Sequence, residues 1–151
     1  MGLLSDVFLA SNVELATLHP GAGGPEGHFP TVSGKRIDSI KLATLEASVT
    51  QYQGDILSLA EAWDDEHYLV YSEEEEQVCR FPETLSVALT QLPPEALGLC
   101  VEAWAATEEW RLDGGDTPAG RETLLRWLSA VCQLARRGQR EGRSLCIWWS
   151  L

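Results

Sequence analysis

With 151 residues, 44% of them apolar, and six tryptophans, the chain carries enough hydrophobic material for one sizeable core and far too much for a disordered segment. A formal charge of −12 at pH 7 argues against nucleic acid or an anionic membrane surface as a partner, because both need clustered Lys and Arg to neutralise phosphates. A cationic partner protein, or simple solubility, is what such a charge serves.

Leu4 to Ala10 reads as a strand, since Leu4, Val7, Phe8 and Leu9 are apolar and suit a pleated surface. Ser11, with Glu14 three positions on, has the form of a capping box and opens a short helix to about Leu18. His19 to Gly34 holds five Gly and three Pro, a loop composition. Arg36 to Leu42 reads as a second strand. Thr44 then caps a helix that Gly54 stops, and Asp55 begins another over "ILSLAEAW". "HYLVYS" and "QVCRFP" flank Glu73–Glu76 as the arms of a hairpin with an acidic tip. Pro82 starts a helix through Gln91, and "PEALGLCVEAWAATEEWRL" starts the next, with Leu97, Val101, Trp104 and Ala105 at helical spacing. Thr117 caps the longest helix, whose apolar stripe is Leu124, Leu125, Leu128, Val131, Cys132 and Ala135, and Gly142 ends it.

The last segment, "SLCIWWSL", is strand-length and too short for an isolated helix. Leu145, Ile147, Trp149 and Leu151 share one side; Cys146, Trp148 and Ser150 share the other. Bulk on both sides suits a strand covered on both faces, which places the chain's end in the core. The rival reading is an exposed aromatic edge used for strand addition or dimerisation. The expected fold is therefore a single α+β domain over residues 1–151. It has a mixed, mostly antiparallel sheet of about five strands, helices packed on it, and the C-terminal strand within the sheet.

Charge is unevenly placed: 4 basic and 19 acidic residues precede Arg111, against 7 and 4 from Arg111 onward. A basic C-terminal helix docked on an acidic body would account for this. The four cysteines are widely spaced and form no CxxC pair, the N-terminus lacks a basic stretch before its apolar residues, and no apolar run reaches a membrane span. These features predict reduced thiols in the cytoplasm.

"SDVFLAS", "AWAATEEWRLDGG" and "EGRSLCIWWSL" together resemble a family of small bacterial proteins of unknown function, over most of the chain and least in the Gly-rich loop. The resemblance implies a bacterial single-domain protein and supplies no activity and no site residue.

Tests for chemistry return little. Gly34-Lys35 lacks the first Gly and the hydroxyl of a phosphate-binding loop, and no GxSxG elbow exists. Cys79 sits in an apolar strand, where burial blunts a thiol even with His67 in the same hairpin. Asp64, Asp65, Glu66 and His67 are adjacent rather than spaced as metal ligands are, so a solvated acidic loop is the expectation, with no metal and no cofactor. Trp104, Glu108, Glu109, Trp110 and Arg111 are where a Trp- and carboxylate-lined cleft would be sought, as in an enzyme or small-ligand binder. The first expectation is a non-enzymatic protein, monomeric or homodimeric. It would bind a basic partner, as an inhibitor or immunity protein does, through Asp64, Asp65, Glu66, Glu73, Glu74, Glu75 and Glu76.

Overall fold

The computed structural model describes residues 2–151. At its centre lies the C-terminal strand β5 (Ser144–Ser150). It pairs along its whole length with β1 (Leu4–Ala10), from Leu4 opposite Ser150 to Ala10 opposite Ser144. Its other edge takes β4 (Glu76–Arg80). With β2 (Thr31–Val32) beyond β1 and β3 (Leu69–Glu73) beyond β4, the order is β2-β1-β5-β4-β3, and every neighbouring pair is antiparallel.

Alternation sorts the side chains. Val7, Leu9, Cys79, Leu145, Ile147 and Trp149 join the larger core beneath the helices. Phe8, Ala10, Val78 and Cys146 point to the opposite face. That second face is covered by the short helix α1 (Asn12–Leu15) and the Gly-rich loop, which bring Leu15 and Phe29 against Phe8 and Trp148. The expectation for the final strand therefore holds: the sheet is sandwiched, and Cys146, Ile147 and Trp149 are buried. Leu151 departs from the pattern and is 66% exposed.

Several elements differ from the sequence reading. Arg36–Leu42 is not a strand. Arg36 sits at φ 62°, and Asp38 accepts the Lys41 amide at 2.9 Å to cap helix α2 (Ser39–Thr50). A short side chain that can satisfy a free helix donor outweighed the β-like alternation that follows it. Thr44 lies inside α2, its hydroxyl donating to the Lys41 carbonyl, and the helix ends on Gln51 in the left-handed region rather than at Gly54. The missing strand is β2, two residues inside the stretch expected to be pure loop.

Asp55 caps α3 (Ile56–Glu61) as expected, and a 3-10 turn (Ala62–Asp64) follows. Pro82 is the N-cap of α4 (Glu83–Gln91). The single helix expected after Pro93 is a 3-10 turn (Pro94–Ala96), then α5 (Leu97–Ala105) and α6 (Glu108–Leu112), separated at Ala106–Thr107. The Thr107 hydroxyl bonds back to the Trp104 carbonyl, offering the backbone an alternative to a continuous helix.

Helix α7 (Pro118–Glu141) lies across the sheet between the Thr117 cap and Gly142 at φ 67°. Its buried stripe contains Leu124, Leu128, Val131, Cys132 and Ala135 as expected, and also Trp127 and Leu134. Leu125, one position off the stripe, is exposed. A Cβ on Gly138 would come within 2.7 Å of Leu9, so glycine there lets α7 settle against β1. Near the chain's basic end, Arg143, just past α7, forks onto Glu14 at 2.9 and 3.1 Å, Arg136 donates to the Thr90 and Leu92 carbonyls, and Arg137 pairs with Glu141 of its own helix. Among the described residues no helix is long and apolar enough to cross a membrane.

Candidate functional site: an acidic hollow

The acidic segments singled out from the sequence are brought together in part. The β3–β4 hairpin carries Glu73–Glu76 at its tip, and the Leu151 amide donates to the Glu75 carbonyl, which holds the tip against the end of β5. The 3-10 turn after α3 delivers Asp64, and the cap of α2 delivers Asp38. Around a hollow of about 250 Å³ these groups meet Trp63, Trp149 and Leu151. Trp63 and Trp149 are packed edge to face, centroids 5.6 Å apart, and the Trp149 indole is fixed by donating to the Ile37 carbonyl at 2.7 Å. The floor is rigid and apolar, and the rim is anionic.

The rim carboxylates are not equivalent. Asp38 is committed to its cap, and Glu76 is built into the fold. Glu76 Oε1 accepts from the Tyr71 hydroxyl at 2.6 Å and the Trp148 indole at 2.7 Å, and Oε2 accepts from the Gly21 amide at 3.0 Å. Burial pushes its carboxyl up, but those three hydrogen bonds more than offset burial, and the group ionises below the usual glutamate range. Asp64, Glu73, Glu74 and Glu75 are exposed and make no ion pair among the described residues. Asp65 and Glu66 do not line the hollow, and Asp65 spends one oxygen on the His67 amide in a local turn.

The second group does not converge as a cleft would require. Trp104 is wholly buried and donates to the Lys41 carbonyl at 2.8 Å, edge-on to Trp110. Glu108 and Glu109 lie in the first turn of α6, and Arg111 reaches only Asp116, at 4.0 Å. Trp110 instead lines a different cavity, which it forms with Trp127. Nothing in the sequence pairs those two indoles, since Trp127 reads only as part of a helical stripe.

Cys79 and His67 are not a catalytic pair: the thiol is buried, donates to the Trp63 carbonyl, and is pushed by burial up to about 11. Burial likewise takes Cys132 to about 11 and Cys146 to about 12. Among the described residues no three His, Cys, Asp or Glu side chains are grouped to hold a metal ion. Searches against protein-family models, curated proteins and solved structures find no match to this chain.

Proposed function

We propose that the chain is a non-enzymatic interaction protein whose acidic hollow receives a lysine or arginine side chain from a basic partner protein, in the manner of an inhibitor or immunity protein. The observation that carries this reading is the meeting of Asp64 with Glu73, Glu74 and Glu75 over the Trp63–Trp149 floor, where no cation among the described residues forms an ion pair with them. A guanidinium or ammonium group gains from such a rim by Coulomb attraction, while its aliphatic stem lies on the indoles. All four cysteines are unpaired, which suits a reducing compartment and supports a cytoplasmic setting. The family resemblance of the sequence would make the protein bacterial.

An arginine-rich peptide titrated into the protein tests the reading. Glu73→Gln, Glu74→Gln and Glu75→Gln combined with Asp64→Asn should abolish binding, whereas Asp65→Asn with Glu66→Gln should leave it intact. Indifferent attraction to a negative surface would weaken in proportion to charge removed, whichever residues were changed. That second pattern would sink the proposal.

A further inference from the structure

A hollow of about 530 Å³ lies where the end of β4 meets α4 and the last turns of α7, and it shares no lining residue with the acidic hollow. In a chain of charge −12, its lining holds Arg80, Arg143 and His67 against one carboxylate, Glu83. Arg80 is the group that the fold itself does not account for. Four cationic side chains among the described residues are buried or partly buried: Lys41, Arg80, Arg136 and Arg143. Lys41 pairs with Asp113, Arg136 donates to two carbonyls, and Arg143 is held by Glu14 and Glu141. Arg80 has no ion pair among the described residues, and its hydrogen bond there is a long one, from Nη1 to the His67 carbonyl at 3.5 Å.

That contact sets the guanidinium, and not only its stem, at the wall of the hollow, because His67 lines the same space and the bond is open to solvent. Drawing a cation partly out of water without a counter-charge costs free energy, and folds as a rule keep such groups paired. Glu83 does not fill the need: it is exposed in the first turn of α4 and makes no ion pair with Arg80. The charge of Arg143 is already met by Glu14 and Glu141, both outside the lining, so Arg143 braces the wall and leaves Arg80 as the receiving cation. The rest of the lining is rich in groups that both donate and accept. Ser86 and Thr90 come from α4, Gln139 from α7, and Ser144 from the start of β5. Tyr68, edge-on to His67 at 4.9 Å, joins Val87 and Leu145 in supplying apolar surface.

We infer that this hollow binds a small organic anion, with an oxyanion head, carboxylate or phosphate, on Arg80 and a hydroxylated body along Ser86, Thr90 and Gln139. Its volume is that of an ordinary small-ligand site. The guanidinium fork matches either oxyanion in two parallel hydrogen bonds. An amine head would meet it with like charge, and a neutral sugar would leave it unpaired, so both are selected against.

A matched hexose series tests this: glucose 6-phosphate, glucuronate, glucose and glucosamine, each titrated while the arginine Nε–H signals are followed in nitrogen-15 correlation spectra. At least one of the two anions should shift the Arg80 signal saturably, and the tighter of them names the head; glucose and glucosamine should not. Arg80→Gln should weaken that anion at least about tenfold, and Arg80→Lys, which keeps the charge and loses the fork, should recover part of the affinity. Without ligand, Arg80→Gln should melt no lower than the parent, whereas a structural role for Arg80 would lower its melting temperature. The anion should raise the melting temperature of the parent and not of that variant. Val87→Trp gives a second route: Val87 is 44% exposed at the lining, so the larger side chain should fill the hollow and abolish the shifts while the fold stays intact. Glu73→Gln, Glu74→Gln and Glu75→Gln should leave anion binding unchanged, which separates failure here from failure of the proposed protein-binding role. Equal binding of glucose, equal shifts at the exposed Arg126 and Arg140, undiminished binding by Arg80→Gln, or no saturation with either anion would overturn the inference.

Discussion

At the scale of single residues, a partly buried glutamate and a buried one respond to pH in opposite directions. Glu76 ionises below its ordinary value of 4.5 because three donors hold the charged form against burial. The stability it contributes is complete above the unfolded-chain value and is lost as pH falls through the lower, folded one. Glu76→Ala should therefore unfold at lower urea than the parent at neutral pH, by about 1–2 kcal/mol for the stranded Tyr71 and Trp148 donors, and the gap should narrow in acid. Glu46 is the reverse. Burial under α4 pushes its carboxyl up, and the hydroxyl of Thr84, donating at 3.0 Å, only partly opposes that. The protonated form is the one the fold prefers, so the penalty is absent below 4.5 and grows as pH rises through the folded value. Glu46→Gln keeps an acceptor for Thr84 and removes the charge. It should raise thermal stability at neutral pH by about 1 kcal/mol and give no gain in acid; a loss at neutral pH would mean the carboxylate has a stabilising role that Gln cannot fill.

At the scale of elements, the sheet depends on its last strand. β5 joins β1 to β4, and without it neither half has a partner along that edge. Removing residues 144–151 should abolish the cooperative transition seen by circular dichroism. Trp149→Ala should keep the fold at a cost of about 3–5 kcal/mol, from lost contact with Trp63 and an unpaired Ile37 carbonyl. This strand was legible beforehand because bulk at both parities of a short terminal run has only one comfortable place, between two covered faces. The hairpin, the Ser11–Glu14 box and the Thr117-to-Gly142 helix were legible for similar local reasons. β2 was not, since two residues carry no periodicity. Nor was the start of α2, where the cap at Asp38 competed with a β-like alternation over the same residues. Gln51 in the left-handed region has no signature of its own; glycine three residues later drew the boundary instead.

At the scale of the whole molecule, sequence named the acidic runs but not their meeting. Asp64 and Glu73–Glu75 join only because the hairpin tip is held against the end of β5, next to the turn after α3. Trp110 and Trp127 share a wall only because α6 and α7 are joined by a tight turn, with Gly115 packed on the Trp110 ring. Such convergence lives in tertiary contacts, which periodicity does not encode. The charge of −12 is a property of this scale too, and it opposes compaction through self-repulsion. Glu73, Glu74 and Glu75 make that opposition local: they crowd one tip, have no ion-pair partner among the described residues, and sit next to Glu76, which the fold does use. Replacing the three by Gln should leave thermal stability equal or higher at low ionic strength. The rise in stability that added salt brings to the parent should also shrink, since about 0.1 M salt already screens exposed charges beyond roughly 10 Å. Melting curves of parent and triple variant across a salt series measure both effects. A clear loss of stability in the variant would give the three carboxylates a structural role. Their exposure on the rim would then no longer count as a feature kept for a partner.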